Sequence, residues 1–341
     1  MKQLLLTLLY RAGALSAWRR WRHGHSLTVL IFHRVLPFDT ARPSSQWPGY
    51  TVTPDFLRQC LNFLRRHYEL VSLDQVLTAL RGGAGLPPTA LLITIDDGWK
   101  DTSEYAEPLL RQAGCPAVLF AVGGLCDGLD LWQESLYHAL LAGELTPSRC
   151  LMLWREVASP EPPPTDWSTI ASIWKLAARL QSLDNAHRRE CLTRAGLPPP
   201  APSPMMPVDE LRGFARPPLS VGAHGYTHLP MTEVPDAAGE LRLSRSRLRQ
   251  ALAGLSEVET MSWPHGRYSP ELTTQAWEAG FECQFTSDQI VNHAPSGRPA
   301  RLLGRYELAM GDLANASGNL RPEKLANALF RLPRAILGET E

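Results

Sequence analysis

Leu91-Leu92-Ile93-Thr94-Ile95-Asp96-Asp97-Gly98-Trp99 is an apolar, β-branched run that stops abruptly at two adjacent carboxylates and a glycine. Such a run predicts a buried strand. Neighbouring acids at a strand end repel each other, and both ionise comfortably only beside a cation. A divalent metal is the simplest one. An ordinary Asp-Gly turn is the competing explanation, and the buried strand feeding into it weakens that explanation. More ligands stand downstream in Ala223-His224-Gly225-Tyr226-Thr227-His228. Two histidines and one carboxylate form an open three-ligand metal site with room for water. Alone, His224 and His228 would pass for a surface pair. After a matching strand they join Asp96 and Asp97, because parallel barrel strands direct their C-terminal ends to one face.

On either side of this stretch, strands and helices alternate. Residues 26–32 read as a first strand ending at His33-Arg34, and Thr53-Pro54-Asp55 opens a helix to about His67 with good cap and proline placement. Asp101 is expected to cap a helix through Leu110 that Gly114 ends, and residues 117–122 form the next strand, closed by Gly123-Gly124. From about 128 to 207 the pattern becomes helical and proline-punctuated, densest at 160–164 and 198–207. These stretches read as borders of a helical insertion too short to hold its own core. Alternation resumes with strands at 219–223, 258–263, 282–286 and 303–308 and helices at about 235–255 and 269–279. A C-terminal helix is expected over 325–337, interrupted at Pro333. This order predicts an α/β fold with a parallel sheet or barrel and helices outside. The expected domains are an N-terminal amphipathic helix over 1–25, a barrel over 26–310 and a helical tail over 311–341.

The 341 residues suffice for a large core. Lysine plus arginine equals aspartate plus glutamate at 34 each, which argues against nonspecific nucleic-acid binding. The six cysteines are scattered without a CxxC pair, so reduced thiols in a cytoplasmic protein are expected. Residues 4–10 are apolar, but Arg11 interrupts a run already far too short to span a bilayer. Trp18-Arg19-Arg20-Trp21-Arg22 is basic and aromatic. Packing on the barrel explains it first, docking on an anionic membrane surface second and a signal peptide third.

A third strand-end segment, Ser262-Trp263-Pro264-His265-Gly266-Arg267-Tyr268, reads either as an ordinary Pro/Gly turn or as a rigid loop presenting N–H groups and an aromatic wall to a ligand. With these three segments in order, the chain resembles the polysaccharide deacetylases of carbohydrate esterase family 4. Residues 93–98 resemble its Thr-Phe-Asp-Asp-Gly signature. His224 to His228 resembles its His-[Ser/Thr]-x-x-His signature, with glycine at the hydroxyl position. Trp263-Pro264-His265-Gly266 resembles its Arg-x-Pro-x-Gly loop. The match covers roughly 26–125 and 208–310, and implies a distorted (β/α)7 barrel.

The resemblance also implies roles. Asp96 is the expected general base, and Asp97, His224 and His228 are the expected ligands of one divalent metal, Zn2+ in the usual case. The His265 backbone N–H is expected at the oxyanion, with Trp99 and Trp263 as substrate contacts. Two departures stand out. The loop arginine that pairs with the base aligns near Ser262 and is absent; Arg305 or Arg267 is the candidate substitute. The late Leu-x-His motif carrying the acid histidine is also missing, and His293 does not match it. Ile31-Phe32-His33-Arg34-Val35 instead resembles the strand-end histidine of the circularly permuted exopolysaccharide deacetylases, which makes His33 the expected acid. The implied activity is N-deacetylation of an amino-sugar glycan, lipid-linked or otherwise, in surface-polysaccharide biosynthesis. A cytoplasmic location, peripheral to the inner membrane face through the N-terminal helix, is expected. The alternatives are an amidohydrolase on a non-sugar amide and a degenerate sugar-binding module without turnover.

Overall fold

The computed structural model describes residues 2–37, 50–129, 131–133, 136, 139–140, 143–157, 161–197, 205–293 and 302–335. Within them, twelve α-helices surround a nearly closed, barrel-like parallel sheet, an α/β fold. The chain enters through α1 (Lys2–Arg11) and α2 (Ala14–His23) and lays down β1 (Ser26–Phe32). The short β2 (Arg34–Val35) and β3 (Thr51–Val52) pair with each other. Then α3 (Pro54–His67), β4 (Glu69–Leu70) and α4 (Leu73–Leu80) lead to β5 (Ala90–Asp97). After α5 (Glu107–Ala113) come β6 (Ala117–Ala121), β7 (Leu219–Ala223), β8 (Thr260–Ser262) and β9 (Cys283–Phe285). They are followed by β10 (Val291–His293), β11 (Leu302–Leu303), β12 (Tyr306–Glu307) and β13 (Arg334–Ala335).

Strands β1, β5, β6, β7, β8 and β9 run parallel in that order. The seventh stave is split: β11 pairs with β9 and β12 pairs with β1, so residues 302–307 join the last strand to the first. The sequence predicted one strand here. Gly304-Arg305 interrupts it, and that break lies at the seam of the barrel.

Alternation along the strands sorts the core. Leu91, Ile93 and Ile95 pack outward with Phe56, Leu57 and Leu61 of α3. Leu92 joins Val29, Val118, Phe120 and Phe285 in a second cluster, to which α4 adds Leu73, Val76 and Leu77. Thr94 and Asp96 share the parity of Leu92 and are fully or nearly fully buried.

Several expectations are refined. Thr53 caps α3 as predicted, its side chain accepting from Phe56 N. Asp101 is not a cap: its carboxylate accepts from Arg34 and from Val35 N, and a π-helical turn over Thr102–Ala106 precedes α5. The N-terminal segment is two helices, broken at left-handed Gly13. The C-terminal helix spans Pro322–Phe330 and gives way to β13, which pairs with β10; residues 336–341, at the end of the predicted helix, lie outside the described residues, as do 158–160 and 198–204 of the proline-rich borders. The insertion does form its own apolar cluster, with Trp132, Cys150, Leu153, Trp154, Ile173 and Leu192 buried, which Leu229 of the barrel joins. Paired helices rich in tryptophan and leucine compensate for its shortness. No helix among the described residues is long and apolar enough to cross a membrane.

Candidate active site

The C-terminal ends of β5 and β7 bring Asp97, His224 and His228 together. His228 Nε2 lies 3.1 Å and His224 Nε2 3.4 Å from Asp97 Oδ1, and all three residues are buried. His224 Nδ1–H donates to Ser262 O at 3.0 Å, which leaves a lone pair on Nε2. That lone pair faces a carboxylate oxygen, and two acceptors at such a separation require a cation or a proton between them. Donors bound at about 2.0–2.1 Å around a tetrahedral ion lie roughly 3.3 Å apart. The cluster therefore fits a metal in both chemistry and spacing. Burial raises the Asp97 carboxyl, but His228 and His224 outweigh it and hold the group well below the ordinary carboxylate range. Asp97 and His228 both take left-handed backbone conformations, φ 78° and 61°. Non-glycine residues adopt these at a cost and hold them only where surrounding structure enforces them.

Asp96 has a different partner. Arg305, buried at the seam, donates from both terminal nitrogens to Asp96 Oδ1 and Oδ2 at 2.8 Å each. The same guanidinium donates to Thr94 Oγ1, to Thr286 O and to Ser262 Oγ, and Ser262 Oγ–H donates to Asp96 Oδ2 at 3.1 Å. Arg305 is thus the partner of Asp96, and exposed Arg267 is not. Ser262 stands where the missing loop arginine would align and completes the clamp. Burial raises the Asp96 carboxyl, yet Arg305 and then His224 bring it below its usual range.

Trp99 corrects an expectation. It is buried, and its Nε1–H donates to Asp97 Oδ2 at 2.7 Å, so it orients the Asp97 carboxylate instead of walling a substrate. The Arg34 guanidinium lies 4.3 Å above its ring and is itself held by Asp101. Next to Arg34, His33 directly follows β1. It is close enough to lower the pKa of both Asp96 and Asp97, and its Nδ1 lies 3.9 Å from Glu307 Oε1. Burial raises the Glu307 carboxyl, against the pull of His33. His293 pairs with Ser26 at the other end of β1 and is remote from the cluster.

Trp263 is a second correction: its side chain is buried and stacks on Tyr268, so it is core and not an exposed wall. His265 has a left-handed backbone (φ 54°). Its ring sits between Trp174 of the insertion and His228, with centroids 4.0 and 4.5 Å away, and Nε2–H donates to His228 O. Two braces on the 224–228 loop have no signature in the sequence. Buried Glu240 accepts from Tyr226 N, Thr227 N and Thr227 Oγ1 through one oxygen. Gly123 and Gly124 donate to Gly225 O and Tyr226 O, and a Cβ on Gly124 would lie 2.5 Å from Tyr226 O. A second three-ligand group, Glu156, His187 and Cys191, already holds a cation, because the Arg194 guanidinium is 2.8 Å from Glu156 and 3.4 Å from Cys191 Sγ.

No family model matches the chain. Among curated proteins, the poly-beta-1,6-N-acetyl-D-glucosamine N-deacetylases of Escherichia coli strain K12 and of O157:H7 are each 36% identical over 78 residues. The match is 23% of this chain and spans only 12% of those proteins. Among solved structures, the Streptococcus pyogenes deacetylase PplD in complex with acetate superposes with a TM-score of 0.58 at 15% identity, over 90% of this chain and 99% of that one. IcaB from Ammonifex degensii superposes with a TM-score of 0.50 at 19% identity, over 90% and 98%. The chain shares its fold with the deacetylase PplD and with IcaB.

Proposed function

We propose that this chain is a metal-dependent N-deacetylase that hydrolyses the acetamido group of an amino-sugar glycan in surface-polysaccharide assembly, with Zn2+ as its ion. The observation that carries this is one carboxylate clamped by arginine beside a second facing the Nε2 atoms of two histidines, at the mouth of a deacetylase-like barrel. The curated relatives are named for a glycan of N-acetylglucosamine, which supports the substrate class.

Asp97, His224 and His228 would hold the ion, which supplies Lewis-acid charge that polarises the amide carbonyl and acidifies water. Asp96, kept ionised by Arg305, takes a proton from the attacking water. The oxygen adds to the carbonyl carbon, and the His265 backbone N–H is the donor we assign to the resulting oxyanion. As the C–N bond breaks, His33 gives its proton to the departing amine nitrogen. Its Nδ1 side is turned to Glu307, so Nε2 is the donating atom we assign. The proton on Asp96 then leaves to solvent, and His33 regains one. The products are acetate and a free amine.

Acetate release from a panel of N-acetylated sugars and glycans, with and without chelator, tests this. Release that chelator abolishes and Zn2+ restores is expected. Release from simple amides but no sugar would shift the assignment to a non-sugar amidohydrolase. Glycan binding without release would leave only a binding module.

A further inference from the structure

α1 and α2 are held to the barrel by one side. The Tyr10 ring stacks on Phe63 and its hydroxyl is 3.3 Å from His67 Nε2, while Ser16 Oγ is 3.3 Å from His67 Nδ1. The buried Arg19 guanidinium lies 4.5 Å above the Tyr68 ring and 5.1 Å from that of Phe330. His67 ends α3 just before Glu69, which pairs with Ala90 at the start of β5. These contacts therefore lie toward the N-terminal end of the strands, away from the site.

The opposite side of α1 is apolar too. Leu4, Leu5, Leu8 and Leu9 are 66, 58, 56 and 39% exposed. At about 100° per residue they cover one arc of the helix, facing away from Tyr10. Trp21, near the end of α2, is 81% exposed. A helix packed on a core needs a single apolar stripe; this second, outward stripe is not explained by folding. Five of the nine large apolar side chains exposed among the described residues lie on these two short helices.

Charge is segregated in the same place. Residues 1–38 contain six lysines and arginines and no aspartate or glutamate, so the rest of a net-neutral chain carries six more acids than bases. Arg11, Arg20 and Arg22 are exposed. The five residues singled out in the sequence therefore divide: Arg19 is buried and Trp18 half-buried against the core, leaving Arg20, Trp21 and Arg22 at the surface.

We propose that the outward face of α1 and the C-terminal end of α2 dock the protein on an anionic lipid bilayer. The leucines and Trp21 enter the headgroup boundary, and Arg11, Arg20 and Arg22 meet lipid phosphates. A second copy of the chain fits this face poorly. A twofold contact sets the patch against itself, and neither α1 nor α2 carries an acid to face the arginines. Docking is independent of the deacetylase assignment, and each can fail without the other.

Flotation of the full chain with phosphatidylcholine vesicles, with and without phosphatidylglycerol, tests the proposal. Binding to the anionic vesicles at low salt, lost at high salt, is expected. Leu5→Gln/Leu8→Gln should weaken it roughly tenfold or more, with an unchanged melting temperature as the control for folding. Arg20→Gln/Arg22→Gln should lower binding to the anionic vesicles only. Absence of flotation at low salt, or undiminished flotation of the leucine variant, would overturn the proposal. So would a wild-type dimer, seen by sedimentation, that Leu5→Gln/Leu8→Gln dissociates.

Discussion

Asp96 and Asp97 are neighbours in the chain, and their partners tell them apart. Arg305 and Ser262 engage both oxygens of Asp96, whereas Asp97 faces His224 and His228 with one oxygen and Trp99 with the other. Asp96→Asn should therefore retain metal and lose about 10²–10⁴-fold in turnover, the usual worth of a general base; loss of metal on analysis would make Asp96 a ligand instead. Trp99→Phe keeps the ring but removes the hydrogen bond to Asp97. Metal affinity, read by competition with a chromogenic chelator, should fall about 10–100-fold, as for other outer partners of ligands. An unchanged affinity would mean the bond only fills space. The cluster itself was legible because a strand ending in two acids, followed by His224 and His228, has few other uses. Arg305 was only guessable: nothing local in its sequence says that the barrel closes at this point. Trp99 and Trp263 misled because an aromatic beside a motif looks the same in sequence whether it faces a ligand or the core.

Strands and helices were largely readable from alternation and caps; their interruptions were not. Glu240 lies on the Ala237–Leu252 helix, many residues after the loop it ties down, and only the folded chain shows the connection. His67, at the end of α3, sits between Tyr10, Phe63 and Phe330. Burial first, then Arg19, Arg66 and Arg20, pushes its pKa down to about 4. The unfolded chain takes up a proton near 6.5 that the folded chain refuses. The resulting stability is therefore fully present above about pH 6.5 and is lost as pH falls toward 4. Melting temperature against pH for wild type and His67→Phe isolates this contribution. The wild type should lose more stability between those values, and parallel curves would refute the assignment. Asp96 and Asp97, held below the ordinary range, act in a lower window, contributing above about pH 4 and failing below it.

At the scale of the molecule, the insertion and the barrel meet at the site. Gln133 Nε2 donates to Thr227 O, Leu229 enters the insertion's core and Trp174 covers His265. A cation held by Asp97 at the end of β5 and by two histidines just after β7 would tie these two strand ends together in the folded state alone. The protein should bind close to one equivalent of Zn2+, and saturating ion should raise the melting temperature by several degrees, the order set by about 2.7 kcal/mol at a hundredfold excess over Kd. No change on adding ion after chelation would count against the cluster as a metal centre. The barrel also has a height. β5 is eight residues long, at most about 26 Å at roughly 3.3 Å per residue before tilt shortens it along the axis, and α1 packs toward one end of it with the carboxylates at the other. A protein seated on lipid by the outward face of α1 would carry its chemistry well above the headgroups. The first sugar on a lipid carrier would stay out of reach, while units farther along the same glycan would arrive at the mouth. The barrel would then serve as a ruler, sparing acetyl groups near the anchor until the chain outgrows it. Mass spectrometry of lipid-anchored acceptors of graded length would show such a ruler as an untouched proximal stretch.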